Sequence, residues 1–403
     1  MPQLILSLVT LFIFLNLIVG ACAYLILLER KVCAWLQNRV GPDRVGLSLG
    51  VLPIRHSCFG LGQPLADGIK LLTKEDYTPT GVDRALFILS PILSVATALV
   101  GWAVIPWGGF LRWGDEALAV AALPVNVGVV YILSVGSLAV YGVVLAGYAS
   151  NNKYAFFGGL RATAQMLSYE IPMSLIVLTM VLLAGTARAD LIVLAQVDQV
   201  WNVFYNPLLA VIFFTCVLAE CNRAPFDLAE CEQELIGGFH TEYASMKWAL
   251  FFLGEYAHMI TGSAFFTLLF LGGWDLPLLP TPAVGGIALV LLNCTVFLAK
   301  VTACLFVMMW IRWTLPRFRF DQLMRLAWRC LVPVTLAGLL WATVLVATRP
   351  STVSPGLWNG LMSVGNAVIF GTGLLLMRWL PAGRPTNRKL ALEGSRFSAP
   401  SPA

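Results

Sequence analysis

Apolar residues run without a single charge over residues 4–28. At 1.5 Å per residue those 25 positions make about 37 Å of helix, enough to cross a hydrocarbon layer of about 30 Å. Eight further apolar stretches follow, near residues 85–107, 120–146, 162–187, 207–219, 248–271, 284–311, 331–347 and 362–377. The pattern predicts an all-α fold, a polytopic membrane helix bundle of about nine transmembrane helices with the fifth one short. The first stretch starts uncharged and runs straight into Glu29, Arg30 and Lys31. It reads as a retained helix rather than a secretory leader, which wants a basic start, a shorter apolar core and a small-residue cleavage site.

Two polar segments are too long to be simple turns. The second half of the first, residues 62–76, places Leu65, Ile69 and Leu72 on one helical face, with Lys70 and Lys74 four residues apart elsewhere. Such an amphipathic helix prefers to lie in the plane of the membrane interface. Covering the bundle would be its plain role, and that role leaves Asp67 without a reason. The second segment follows the short fifth stretch and carries most of the acids discussed below.

Composition agrees with the periodicity. Apolar residues make up 59% of the 403 and charged residues 12%, against roughly 25% charged in an average soluble domain. An ordinary soluble globule is excluded, and lipid must cover much of the surface. The net charge of +5 sits in short loops and the tail, a poor footprint for nucleic acid. It sorts instead by membrane face: alternate loops and the tail hold 22 Lys and Arg, and the opposite loops hold Arg112, Arg188 and Arg349. Basic loops stay cytoplasmic, so the N-terminus is expected outside and the C-terminus in the cytoplasm. Residues 1–380 are expected to form one transmembrane domain, whose cytoplasmic loops 29–84 and 220–247 carry its chemistry, and residues 381–403 a disordered cytoplasmic tail.

Nine cysteines are present, but no CxxC pair, and the three histidines, His56, His240 and His258, have no ligand spacing. Cys22, Cys216, Cys294, Cys304 and Cys330 fall in or against spans, and Cys33, Cys58, Cys221 and Cys231 on the cytoplasmic side. Small apolar packing accounts for them better than a metal or an iron-sulfur cluster. No metal site and no redox centre is expected in this chain.

The loop after the fifth stretch holds Glu220, Asp227, Glu230, Glu232, Glu234 and Glu242 with Arg223 among them, and Glu255 lies just inside the sixth span. A solvated acidic face is one account. The loop is also laced with Pro225, Phe226, Leu228, Leu235, Ile236 and Phe239, which ask to be buried. Carboxylates crowded into a partly dry place repel, and some then hold protons near neutrality, the chemistry of a proton-exchanging funnel.

Glu170, Glu255, His258 and Lys300 fall inside spans. On insertion scales a charged group there costs roughly 2.5–3.5 kcal/mol without a partner, so each should face the bundle or a wet cavity. Glu170 is followed by Pro172, which frees a backbone carbonyl within a turn of the acid. A buried ion pair, for instance Lys300 with a glutamate, and a carboxylate proton relay both fit these positions.

The residues also form a recognisable series: Glu29-Arg-Lys31, Gln37-Asn-Arg-Val-Gly-Pro42, Gln63-Pro-Leu-Ala-Asp-Gly-Ile-Lys70, Lys74-Glu-Asp76, Ala146-Gly-Tyr-Ala-Ser-Asn-Asn-Lys-Tyr154, Leu160-Arg-Ala-Thr-Ala-Gln-Met-Leu-Ser-Tyr-Glu170, the acidic loop, His240-Thr-Glu-Tyr243, Thr314-Leu-Pro-Arg317 and Asp321-Gln-Leu-Met324. The chain thereby resembles the H-type membrane subunit of respiratory complex I, over residues 29–332. The resemblance implies a multi-pass subunit of a bacterial inner membrane that docks the soluble arm, encloses much of the quinone tunnel and helps couple quinone reduction to proton translocation. Quinone, ubiquinone among the candidates, would be the substrate. NADH, FMN and iron-sulfur clusters would belong to partner subunits. The partners implied are the soluble quinone-module and iron-sulfur subunits and adjacent small membrane subunits.

Carried over by motif, the quinone-side acids are Glu220, Glu230, Glu232 and Glu234, and Asp67 with Arg30, Lys31 and Arg39 flanks the tunnel. Glu170, Glu242 and Glu255 match the buried acids of the proton relay. No residue of this chain is implied to be catalytic in the covalent sense. Residues 47–62 depart from the pattern, which is usually shorter there, and the ninth stretch resembles the longer bacterial forms. Two other readings are an anchor subunit of a related hydrogenase, ferredoxin or deazaflavin dehydrogenase, and a stand-alone cation transporter. The second predicts an internal repeat, and the sequence has none.

Overall fold

The computed structural model describes residues 2–45, 58–197, 200–228, 236–276, 282, 284–348 and 355–379. The 47–62 segment up to residue 57, Glu230, Cys231, Glu232, Glu234 and the 381–403 tail lie outside the described residues. Helices dominate. They are α1 Pro2–Leu36, α2 Gln63–Thr73, α3 Arg84–Val100, α4 Gly128–Ala149, α5 Lys153–Ala184, α6 Ala189–Val197, α7 Asn202–Tyr205, α8 Pro207–Glu220, α9 Ser245–Phe270, α10 Ile287–Thr314, α11 Phe320–Leu326, α12 Val332–Ala347 and α13 Pro355–Trp379.

Among the described residues six helices are long and apolar enough to cross a membrane: Pro2–Leu36, Arg84–Val104, Gly128–Ala149, Lys153–Ala184, Ile287–Thr314 and Phe320–Ala347. Length and apolarity thus mark six of the nine expected spans. Pro207–Glu220 is apolar but shorter, and α9 has the length but carries Lys247, Glu255 and His258. The protein is an all-α, multi-pass membrane subunit.

Local signals set several boundaries. Asp83 caps α3 by accepting from the amides of Ala85 and Leu86 at 3.1 and 3.3 Å. Asn152 caps α5 through the amide of Tyr154 at 3.0 Å. Gly185 ends α5 in the left-handed region, where glycine has no steric penalty.

The expected third span is corrected at its start, because helix begins at Gly128 rather than near residue 120. Pro124 lacks an amide hydrogen, and the preceding segment pairs as strand: β1 Phe110–Trp113 runs antiparallel to β2 Glu116–Ala119 and parallel to β3 Val284–Gly285. Gly114, with φ +64, opens the two-residue β1–β2 turn. The Gln3 side chain donates to the Ala119 carbonyl at 3.1 Å, so the start of α1 and this small sheet share one face of the bundle.

The core is built by close approach of small residues, the usual device where lipid supplies no hydrophobic drive. Ser94 on α3 is wedged between α4 and α9. A Cβ on Gly142 would stand 3.1 Å from its backbone nitrogen, and one on Gly254 would stand 2.8 Å from its Oγ. Ser90 Oγ donates to the Gly142 carbonyl at 2.7 Å, fixing α3 on α4.

Candidate functional site

Three elements enclose an apolar cleft of about 240 Å³. Cys22, Ile26 and Leu27 come from α1, Pro64, Gly68 and Leu71 from α2, and Leu250 and Leu253 from α9. α2 forms where the periodicity places it, and its Leu65, Ile69 and Leu72 stripe is exposed rather than packed on the bundle. That leaves Leu65 and Ile69 for lipid, while Leu72 joins Pro64, Gly68 and Leu71 in lining the cleft. α2 is tied to α1 by an ion pair at the rim: Arg30 donates to Asp67 Oδ2 at 2.7 Å, and Gln63 donates to Asp67 Oδ1 at 2.9 Å. Lys31 sits over the Phe59 ring at 5.3 Å, and Arg39 is exposed. Of the loop basic residues, Arg30 therefore meets Asp67 directly.

One helical turn beyond the cleft, α1 and α9 carry charge. Glu29 is 5% exposed and accepts from Tyr256 Oη at 2.6 Å and from Arg312 of α10. Arg223, from the loop after α8, stands 3.8 Å from Glu29 and 3.1 Å from Glu255, with its guanidinium 4.4 Å from the Tyr256 ring centre. Two carboxylates and two guanidiniums thus neutralise each other in a nearly dry place, as buried ions require. The loop that delivers Arg223 is held by Gln165 of α5. Its amide donates to the carbonyls of Ala219 and Phe226 at 2.8 and 2.7 Å and to Asn222 Oδ1 at 3.2 Å. Arg317 pins the same loop through Asp227 at 3.0 Å.

Inward from this cluster lie two small cavities. One of about 20 Å³ is lined by Glu255, Glu220, Cys221 and His258, and the next, of about 40 Å³, by Glu220, Cys221, His258, Gly136 and Met173. Each exceeds the roughly 10–15 Å³ that a water needs, and each has a few polar groups, Glu220 and His258 among them, in a mainly apolar wall. His258 Nε2 is buried with no hydrogen-bond partner among the described residues. Glu220 and Glu170 are close enough for their charges to interact, and Ser137 of α4 donates to Glu170. Glu242 accepts from Asn152 at 2.7 Å, at the mouth of α5.

Among the expected site residues, the structure therefore brings Glu255, Glu220 and Glu170 into one file across α9, α8 and α5. Asp67 and Arg30 stand at the cleft rim and Glu242 stands apart. Among the described residues, the ion pair of Lys300 with a glutamate, one of the two arrangements that fitted the sequence, is not formed. Lys300 donates to the carbonyls of Leu271, Gly273 and Asp275 at 2.5–3.0 Å and covers the Trp201 ring at 4.0 Å, because the α9–α10 connection folds over its ammonium. Glu29 and Glu255 find arginines instead. Sequence reasoning did not single out Glu29, Arg312, Tyr256 or Ser137 as site residues. For Glu29 a signal existed, an acid closing an uninterrupted apolar run.

Residues 9–343 match the family described as NADH dehydrogenase. The chain belongs to the NADH dehydrogenase family. Its relatives include the H-type subunit of the NADH-quinone oxidoreductase of Protochlamydia amoebophila, 48% identical over 320 residues that cover 79% of this chain and 91% of the relative. The H-type NADH-quinone oxidoreductase subunits of Geobacter metallireducens and Cytophaga hutchinsonii are 46% and 45% identical, covering 79% and 77% of this chain and 89% and 88% of theirs. The cleft, the ion cluster and the file of carboxylates all lie within the span that matches the NADH dehydrogenase family.

Proposed function

We propose that this chain is the membrane subunit of a proton-pumping NADH-quinone oxidoreductase that docks the soluble arm, forms much of the quinone tunnel and links quinone reduction to proton movement. The observation that carries this reading is one wall with two faces. α1 and α9 line the apolar cleft with Ile26 and Leu253 and, within a turn, bury Glu29, Glu255 and Tyr256 against Arg223 and Arg312. A prenylated quinone needs an apolar slot for its tail, and its reduction to quinol takes up two electrons and two protons. The electrons come from a cluster held by a neighbouring subunit, since NADH, FMN and iron-sulfur chemistry belong to the partners. This chain holds the slot and senses the charge.

Charge arriving on the quinone is felt strongly by a cluster this dry. A change in the hold of Arg223 on Glu255 is passed by proton exchange through the two small cavities to Glu220 and His258 and on to Glu170. Glu230, Glu232 and Glu234 are assigned with Glu220 to the quinone-side end, Asp67, Arg30, Lys31 and Arg39 to the mouth, and Glu242 to the relay. The relatives' names favour quinone as acceptor and NADH as donor over the hydrogenase, ferredoxin and transporter readings. The bacterial relatives support a bacterial inner membrane, and the basic-residue asymmetry supports the N-terminus outside and the C-terminus cytoplasmic.

The test is Glu170→Gln and Glu255→Gln in the assembled complex. Oxidation of NADH with an artificial acceptor at the soluble arm is expected to persist, while quinone-linked turnover and proton pumping fall together by tenfold or more. Normal pumping in both variants would remove the two acids from the relay.

A further inference from the structure

A second, larger apolar cavity lies among the described residues, apart from the α1–α2–α9 cleft. It is a groove of about 680 Å³ between α8 and α10, floored by Phe266 of α9. Along α10 it is lined by Lys300, Ala303, Cys304, Val307, Ile311 and then Leu315, so every turn contributes. From Lys300 to Leu315 is 15 steps, which make a trough of about 22 Å, deeper than one leaflet of a hydrocarbon core about 30 Å thick.

Among the described residues, its walls offer no free polar partner. The ammonium of Lys300 is taken up by three backbone carbonyls, so the groove meets its alkyl stem. Thr215 in the wall donates to the Ile212 carbonyl at 2.7 Å, and the Cys304 thiol is paired with the Thr267 hydroxyl at 3.9 Å. The trough therefore suits hydrocarbon over its whole length.

One end carries a cationic collar. The last lining residues, Leu315, Phe318 and Leu326, alternate with Arg317, Arg319 and Arg325. Residues 312–329 contain five arginines and one acid, Asp321. Arg312 is engaged by Glu29 and Arg317 by Asp227. Arg319 and Arg325 share Asp321 at 3.6 and 3.7 Å, with side chains 67% and 42% exposed, and Arg329 is exposed beside them. Among the described residues, positive charge is left over at this end of the groove.

We propose that the groove is a binding site for an anionic phospholipid, its acyl chain lying along α8 and α10 and its phosphate held at Arg319 and Arg325. A long apolar slot closed at one end by surplus arginine has the polarity of such an amphiphile, and basic pockets between membrane helices take anionic headgroups on the same grounds. A transmembrane helix of a partner subunit would use the slot but has no need of the collar. The site stands independently of whether the α1–α2–α9 cleft holds quinone.

The test places the photoreactive p-benzoylphenylalanine at Phe214, a near-isosteric change, and separately at Val307 on the facing wall, in the intact complex within native membranes. After illumination, mass spectrometry of this chain is expected to find a phospholipid adduct, with phosphatidylglycerol or cardiolipin enriched at least threefold over the bulk membrane. Arg319→Gln combined with Arg325→Gln is expected to abolish that enrichment while complex assembly persists. A cross-link to another subunit, no lipid adduct at either position, or a headgroup ratio equal to the bulk membrane would each overturn the proposal.

Discussion

Arg223 and Glu255 meet at 3.1 Å in the middle of the bundle, with side chains only 4% and 12% exposed. The same guanidinium stands 3.8 Å from Glu29, so one arginine serves two carboxylates from two helices. Glu29 has a further cation in Arg312, whose side chain is 23% exposed. The cluster is therefore not symmetric in what each member supports.

Arg223→Gln leaves Glu255 without that partner in a dry site, a change worth roughly 3–5 kcal/mol when a buried pair is broken. It is expected to lower the amount of assembled complex by tenfold or more. Arg312→Gln leaves Arg223 on Glu29 and removes a charge that water partly screens, so a loss of twofold or less is expected. Native gels of solubilised membranes measure both. Equal losses would show that Arg223 holds no special position in the cluster.

The cleft makes a separate prediction about substrate. Gly68 lines it, and a Cβ built there meets nothing within 4 Å. Gly68→Phe should project a ring into the slot at little expense to the fold, raising the KM for a short-chain quinone severalfold with assembly unchanged. An unchanged KM would place the quinone elsewhere.

Much of this was legible in the residues and some was not, for physical reasons. Apolar runs and caps mark helices because lipid demands internal backbone hydrogen bonding, and α2 was visible because Leu65, Ile69 and Leu72 share a helical face. The pairing of charges was not visible. Lys300 and Glu255 look equally costly along the chain, and only the fold shows that one is met by backbone carbonyls and the other by Arg223. The hairpin at Phe110–Ala119 was hidden because its residues fall between two spans and, with Arg112, read as a connecting loop.

Burial changes what a thiol reagent can report about topology. Cys221 is 4% exposed, and burial, reinforced by the neighbouring Glu220, pushes its thiol up, so it stays protonated at neutral pH. Slow maleimide labelling is expected from either side. Asp115, exposed at the tip of the β1–β2 turn, is the better reporter. Asp115→Cys is expected to react with an impermeant maleimide in intact right-side-out cells. Reaction only in inverted vesicles would reverse the proposed orientation.

Two glycines on neighbouring helices separate packing from proton movement. On Gly158 of α5 a Cβ would stand 2.7 Å from Gly238 Cα and 2.8 Å from the Phe239 nitrogen, backbone atoms that cannot swing away. Gly158→Ala must push the 238–240 turn off the bundle, and assembled complex is expected to fall about tenfold. On Gly136 of α4 a Cβ would stand 3.1 Å from Glu220 Oε1, the far end of a flexible side chain that can yield. Alanine also suits a helix interior better than glycine by about 1 kcal/mol, so assembly of Gly136→Ala is expected to match the parent. The added methyl, however, enters the cavity of about 40 Å³ that joins Glu220 to His258, where a water-sized space is all there is. If protons cross that space, pumping and quinone-linked turnover should fall severalfold together while NADH oxidation with an artificial acceptor persists. Full pumping in assembled Gly136→Ala complex would mean that protons pass Glu220 by another path.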